Sequence, residues 1–359
     1  MKLLITGICG FVGSVIARAL QDERCAGEPL TIFGVDNFSR PGSELNRLML
    51  KRRGIPFYHG DLRMAPDLDE LPDFDWVIDA AANPSVLAGV DGRTSSRQIL
   101  DYNLASTINI LELCKRRKAG LILLSTSRVY SIPALAGLPI LEKDGAFMLD
   151  SSKPLPPGIS PQGVTEEFST TPPLSLYGVS KLTSEFLALE YAQTFGFPVW
   201  INRCGLLAGA GQFGRADQGI ISFWINAYLR RRPLKYIGFG GHGYQSRDVL
   251  HPRDLVPLLL KQFDCSSQPE NRVFNFGGGP ANVFSLLQLS RWCAERFGKC
   301  KIATDLAPRP FDIPWMVMDS SRANQFLDWR PQTKLADILD EIARHAQERE
   351  DWLDVSAGF

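Results

Sequence analysis

The stretch TGICGFVGS, residues 6–14, stands between an apolar run of strand length, KLLI, and a helix-like run, FVGSVIARAL. Gly7, Gly10 and Gly13 at that spacing leave few folds open. The first permits a tight turn, the second lets backbone approach a pyrophosphate, and the third lets helix and strand pack closely, so that phosphates meet a helix N-terminus. The second strand-like run, TIFGVD, ends on Asp36. A carboxylate there suits the 2′,3′-diol of NAD and repels the 2′-phosphate of NADP, while nearby Arg40 leaves NADP as the alternative.

The rest of the chain keeps the same beat. KLLITG, TIFGVD, IPFYHGD, WVIDAAA, GLILLSTS, VWINRC and RVFNFGG alternate with amphipathic segments such as NLASTINILELCKRRK. This pattern predicts an α/β chain built on a Rossmann-type, doubly wound parallel sheet of about seven strands. The dinucleotide-binding domain is expected over 1–204 with a return segment at 250–277, and a smaller C-terminal substrate-binding lobe over 205–249 and 278–359. Residues 131–173, with KPLPPGISP at their centre, break the rhythm and are expected to form a long excursion over a site.

Charge narrows the class. Lys plus Arg (39) equals Asp plus Glu (39), so no net field favours nucleic acid or an anionic membrane. There is no signal-like N-terminus and no apolar stretch of spanning length, so a soluble, cytoplasmic protein is expected. The seven cysteines lack CxxC spacing and the four histidines are scattered, which predicts reduced thiols and no metal site.

The chemistry is carried by SLYGVSKLTSE, residues 175–185. Tyr177 and Lys181 lie about one helical turn apart and share a face. Lys181 can hold a nicotinamide ribose while its charge lowers the phenol's pKa, and Tyr177 can then serve as base during hydride removal and as acid on its return. A third hydroxyl is expected from LLSTSRVY at the end of the fifth strand, at Thr126 or Ser127.

The GxxGxxG spacing followed by Phe11 resembles the fingerprint of the extended short-chain dehydrogenase/reductase family, also called the NAD-dependent epimerase/dehydratase family. The resemblance implies that Asp61 and Leu62 sit beside adenine, that Ala80, Ala81 and Ala82 flank the ribose and nicotinamide, and that Asn103 orders the active-site backbone. Cys9, Val12, Asn37 and Arg203 complete the implied cofactor set. Counting back four from Tyr130, as the family motif does, selects Thr126. Ile8 stands where a glycine is common and Asp79 where a histidine is common. Related 4,6-dehydratases carry an acidic pair after the threonine, and UDP-glucuronate decarboxylases a glutamate at the Arg128 position. With Ser127 and Arg128 there, both are disfavoured, which leaves epimerisation or net dehydrogenation at one carbon.

In the second lobe, Arg247 and Arg309 stand where the family clamps a nucleotide diphosphate, with Asp312 nearby and Tyr236 and Ile237 against the base. Asn83, Ser127, Arg128, Gln218 and Gly219 complete the implied substrate set. GQFGRADQGIISFW, with DNFSRPGS and SRDVLH, is similar to the branch of CDP-paratose (CDP-tyvelose) 2-epimerases. That likeness implies a CDP-sugar epimerase inverting C2, with an NDP-sugar 4-epimerase or a net NAD-dependent dehydrogenase as alternatives. Relatives pair two helices across a two-fold axis. A homodimer is therefore expected through the helices bearing Ile108, Leu111 and Leu113 and bearing Leu182, Phe186 and Leu189.

Overall fold

A computed structural model describes residues 1–25, 27–90, 92, 95–264 and 271–356. Seven parallel strands form the central sheet: β1 (Lys2–Thr6), β2 (Thr31–Asp36), β3 (Phe57–His59), β4 (Trp76–Asp79), β5 (Gly120–Thr126), β6 (Val199–Cys204) and β7 (Val273–Phe276). Their order is β7-β6-β5-β4-β1-β2-β3, with the reversal between β1 and β4. Strands this apolar must be covered on both faces. Leu3 and Ile5 of β1 face one core with α1 (Phe11–Leu20), whereas Leu4 faces the other with α2 (Ser106–Arg117) and α3 (Leu176–Phe195).

The smaller lobe has its own core. Trp224 and Tyr228 of α4 (Ile220–Leu229) pack there with Leu289, Ile338 and Ile342. No helix among the described residues is long and apolar enough to cross a membrane. Six cysteines, at 9, 25, 114, 204, 293 and 300, are free thiols, while Cys265 lies outside the described residues, as does part of the return segment.

Residues 131–173 correct one expectation. They form two hairpins, Ile140–Lys143 with Ala146–Leu149, and Ile159–Ser160 with Gly163–Val164. The first turns at Asp144 and Gly145, both at positive φ, as a two-residue hairpin loop requires. Its Phe147 N–H donates to the Tyr244 carbonyl, and Val164 N–H donates to that of Val317. None of these residues lines the central cleft. Their apolar side chains are consumed by a core with Trp315, Met316, Val317 and Met318, so the excursion braces the two lobes instead of covering a site.

Candidate active site

A cleft of about 920 Å³ runs along the carboxyl ends of the strands and is lined by sheet and lobe residues. Open α/β sheets bind ligands at this edge, where the strand order reverses.

At its centre, the Ser175 side chain accepts the Gly178 N–H at 3.0 Å and starts α3, setting Tyr177 in the first turn. A Cβ on Gly178 would lie 2.3 Å from the Arg128 carbonyl oxygen, so only glycine lets α3 come this close to the end of β5. That approach brings the Tyr177 phenol next to Thr126, the last residue of β5, whose hydroxyl favours its ionised form. Burial pushes the phenol above its ordinary range, and the Thr126 hydroxyl and the Arg128 guanidinium both oppose that rise.

Lys181 departs from the simple expectation. Burial pushes its ammonium down, while Asp79 and Glu185 hold it up, so its charge is directed at two carboxylates, and the charge felt by the Tyr177 phenol is that of Arg128 instead. Asp79 is buried at the end of β4 and accepts the Thr6 hydroxyl at 2.6 Å. The same Thr6 oxygen accepts the N–H groups of Ala80 and Ala81, each at 3.1 Å, which fixes the backbone beyond β4. From sequence, Asp79 stands out only as a departure from the family's histidine, and Glu185 not at all, although Glu185 follows Lys181 by one turn on the same face. Asn103 sits in a single π-turn, Asp101–Ala105, that leads into α2. Its side chain accepts from Asn83 N–H at 2.8 Å and donates to the Asn83 carbonyl and the Ser180 hydroxyl. Cys204, opposite Thr126 in register, is pushed up to about 12 by burial and stays a thiol at neutral pH.

The cofactor end is built on the glycine turn. Gly7 has φ +61°, and a Cβ on Gly13 would meet the Gly7 carbonyl oxygen at 2.3 Å. Gly10 precedes α1 with no side chain capping the helix, so its first N–H groups are left for an anion. Asp36 accepts the N–H groups of Cys9 (2.9 Å) and Phe38 (2.8 Å). Burial raises its carboxyl and these bonds oppose the rise. Gly7, Gly10, Phe11, Val12, Gly13, Asp36, Asn37, Asp61, Leu62, Ala80, Ala81 and Ala82 all line the cleft. Asp61 is also clasped by Arg63, whose hydrogen bonds pull its carboxyl down to about 2.

A family model for the NAD dependent epimerase/dehydratase family matches residues 3–277. The chain belongs to the NAD-dependent epimerase/dehydratase family. Among its relatives, CDP-paratose 2-epimerase of Salmonella typhi is 28% identical over 352 residues, covering 95% of this chain and 98% of that protein. UDP-glucuronate 4-epimerase 4 of Arabidopsis thaliana is 26% identical, covering 96% of this chain and 75% of that one. A crystal structure of UDP-glucuronic acid 4-epimerase from Bacillus cereus, with UDP-glucuronic acid and NAD, superposes with a TM-score of 0.75 at 25% identity, covering 97% of this chain and 99% of the other. The enzyme is thus of the NAD-dependent epimerase type. The uncapped α1 terminus, the glycine cradle and the Asp36 carboxylate fit that dinucleotide.

A strap from the lobe, residues 212–219, closes over the cofactor end. Arg40 donates to the Gln218 side chain at 2.5 Å and to the Phe213 carbonyl, and the Ser85 hydroxyl donates to Asp217 at 2.8 Å. Arg40, the residue that left NADP open, therefore spends its guanidinium on the strap. Gln218 and Gly219 line the cleft with it.

At the substrate end, Asn83, Ser127, Arg128, Ile237, Arg247, Arg309 and Asp312 line the cleft, whereas among the expected site residues Cys9, Asn103, Lys181, Arg203 and Tyr236 do not. Tyr236 is buried in the lobe core, stacked on Trp224 with ring centroids 5.6 Å apart. Arg203 is buried behind β6, its Nη2 2.7 Å from Glu185, where it also meets Tyr130. Alternate residues of a strand point to opposite sides, and these two face the inner one. Cys9 enters the cofactor end through its backbone alone, since its side chain lies in the core beneath α1.

Proposed function

We propose that this chain inverts a single hydroxyl-bearing carbon of a nucleotide-diphosphate sugar through a transient keto-sugar, with C2 of a CDP-sugar as the favoured substrate position. The observation that carries this reading is the placing of Tyr177 next to Thr126 at the cleft's centre, beside Ser127 and Arg128 in place of an acid for eliminating water.

Bound NAD would supply a hydride acceptor that returns the hydride. The chain's residues do the rest. Tyr177, with Thr126 beside it, takes the proton of the reacting hydroxyl and later gives it back. Lys181, one turn along, holds positive charge behind the tyrosine and would meet the nicotinamide ribose. Gly7, Gly10 and Gly13 leave room for the pyrophosphate, and Asp36 would receive the adenosine ribose. Arg247 and Arg309 keep the substrate's diphosphate in place while the keto-sugar turns, so the second face is presented without release.

The CDP-sugar preference draws support from the Salmonella typhi relative, matched over nearly its full length. The Bacillus cereus structure favours a second reading, inversion at C4 of a UDP-sugar. Incubating the protein with CDP-, UDP-, GDP- and dTDP-sugars in D₂O and following each ring carbon by NMR distinguishes them. Inversion at one carbon, with retention of its hydrogen and no added NAD, is expected. Solvent deuterium at the inverted carbon, or net release of NADH, overturns the mechanism.

We also propose a homodimer through the outer face of α2 and α3. Ile108 and Phe186 are exposed there at 39% and 61%. Leu189 is half-buried, whereas Leu111, Leu113 and Leu182 point inward and belong to the core.

A further inference from the structure

Three guanidinium groups converge on the substrate end of the cleft, and they are not equally free. Arg247 spends both terminal nitrogens on the protein: Nη1 donates to the Ser246 carbonyl at 2.8 Å, and Nη2 to the Ile313 carbonyl at 2.8 Å and to Asp312 at 3.3 Å. Arg309, half-exposed, leans on the strap through the Ala216 carbonyl at 3.4 Å. Arg128 differs from both. Among the described residues its guanidinium has one acceptor, the Phe311 carbonyl at 3.1 Å from Nη1, and no carboxylate pairs with it directly. Arg128 lines the cleft and is only part-buried, so its remaining N–H donors are left for water or for the oxygens of a ligand.

Position narrows which oxygens those are. Arg128 follows Thr126 by two residues, its backbone carbonyl abuts Gly178 in the first turn of α3, and its charge is felt by Tyr177 on one side and by Arg309 and Asp312 on the other. It therefore bridges the reacting end and the diphosphate end. The phosphate that adjoins the sugar in a nucleotide-diphosphate sugar occupies that same junction. Charge agrees with this: Arg128, Arg247 and Arg309 outnumber Asp312 and Asp248, a positive surplus that suits the negative charges of a pyrophosphate diester. Arg40 and Lys235 are engaged by the strap and by Asp305, and Arg215 lies beside Asp217.

We propose that Arg128 grips the β-phosphate of the substrate, at the sugar end of the diphosphate, and is the arginine that seats the sugar against Tyr177. This inference rests on the nucleotide-sugar reading above. Charge-assisted hydrogen bonds of this kind are strong and geometrically selective.

The test is calorimetric titration of NAD-loaded wild type, R128Q and R128K with CDP, UDP, CMP and UMP, with cofactor content and melting temperature as the check that each variant is folded. Affinity of R128Q for the preferred nucleoside diphosphate should fall roughly 10- to 100-fold while that for the monophosphate changes less than about twofold. R128K should recover part of the loss. Equal losses for mono- and diphosphate, an unchanged diphosphate affinity, or a loss that appears only with a sugar attached would overturn the assignment. Wild type that binds none of these nucleotides would overturn the nucleotide-sugar reading itself, and the assignment with it.

Discussion

Replacing Gly178 with alanine tests whether the close approach of α3 to the end of β5 is what makes the site. The new Cβ would lie 2.3 Å from the Arg128 carbonyl oxygen and 3.2 Å from Leu174 Cβ. Even a favourable carbon–oxygen contact needs roughly 3.3 Å, so helix and turn must separate by about 1 Å. Overpacking of this kind costs about 1–3 kcal/mol in stability. The separation also moves Tyr177 away from Thr126 and shifts Arg128, and a misplacement of that size costs on the order of a hundredfold in rate. A matched control lies on the same helix. Gly196, its C-terminal cap, has φ +72° with nothing within 4 Å of a Cβ, so alanine there strains the backbone without moving the tyrosine. Both variants should melt a few degrees lower and retain NAD, but only G178A should lose turnover on the nucleotide sugar identified by NMR. Turnover of G178A within threefold of wild type, or an equal loss in G196A, refutes the reasoning.

Further outcomes are expected elsewhere. Asp36→Ala should weaken NAD binding and shrink the discrimination against NADP, read by fluorescence titration of apoprotein with both dinucleotides; an unchanged ratio counts against the ribose assignment. Asp248 is raised to about 7 by burial, although it accepts N–H groups of Gly279 and Met318. Between about pH 4 and 7 the folded state thus holds a proton the unfolded chain lacks, and stability drains away as pH rises through that window. Asp248→Asn should flatten that part of the melting-temperature profile, and parallel profiles would remove the group from the account. Phe186→Glu should convert the proposed dimer to monomer in light scattering, with the fold intact by circular dichroism.

The sheet was legible because each strand is covered on both faces and so reads as an unbroken apolar run, and because Gly13 answers to a contact only a missing side chain allows and Gly7 to a positive φ. The failures share one cause. Arg203 and Tyr236 sit on strands beside cleft-lining residues, and the choice of face depends on partners far away in sequence: Glu185 for one, Trp224 for the other. The excursion was misread for the same reason. Its Pro- and Gly-rich composition reports a path without regular structure, but its destination is set by pairing with residues 315–319, which nothing local encodes.

Helix α3 is where that limit becomes informative, because its pattern is inverted. Ser180, Lys181, Ser184 and Glu185 are buried, while Phe186 is exposed. Three of the four are hydrogen-bonded internally, Ser180 with Asn103, Ser184 with Thr107 at 3.0 Å, and Glu185 with Arg203 and Ser125, while Lys181 lies in the field of Asp79 and Glu185. A helix sorted by water alone would turn the other way, since burying four polar groups and exposing a phenylalanine both oppose folding. Two demands reconcile it. The polar face must look inward because Tyr177 needs the cleft and Lys181 the carboxylates of Asp79 and Glu185, and their neighbours one turn on are held in the same orientation by that network. The outward apolar face then calls for cover, which a second copy of the same helix would supply by symmetry in the proposed dimer. On this argument the catalytic pair and the dimer contact are two consequences of one rotation of α3 about its axis.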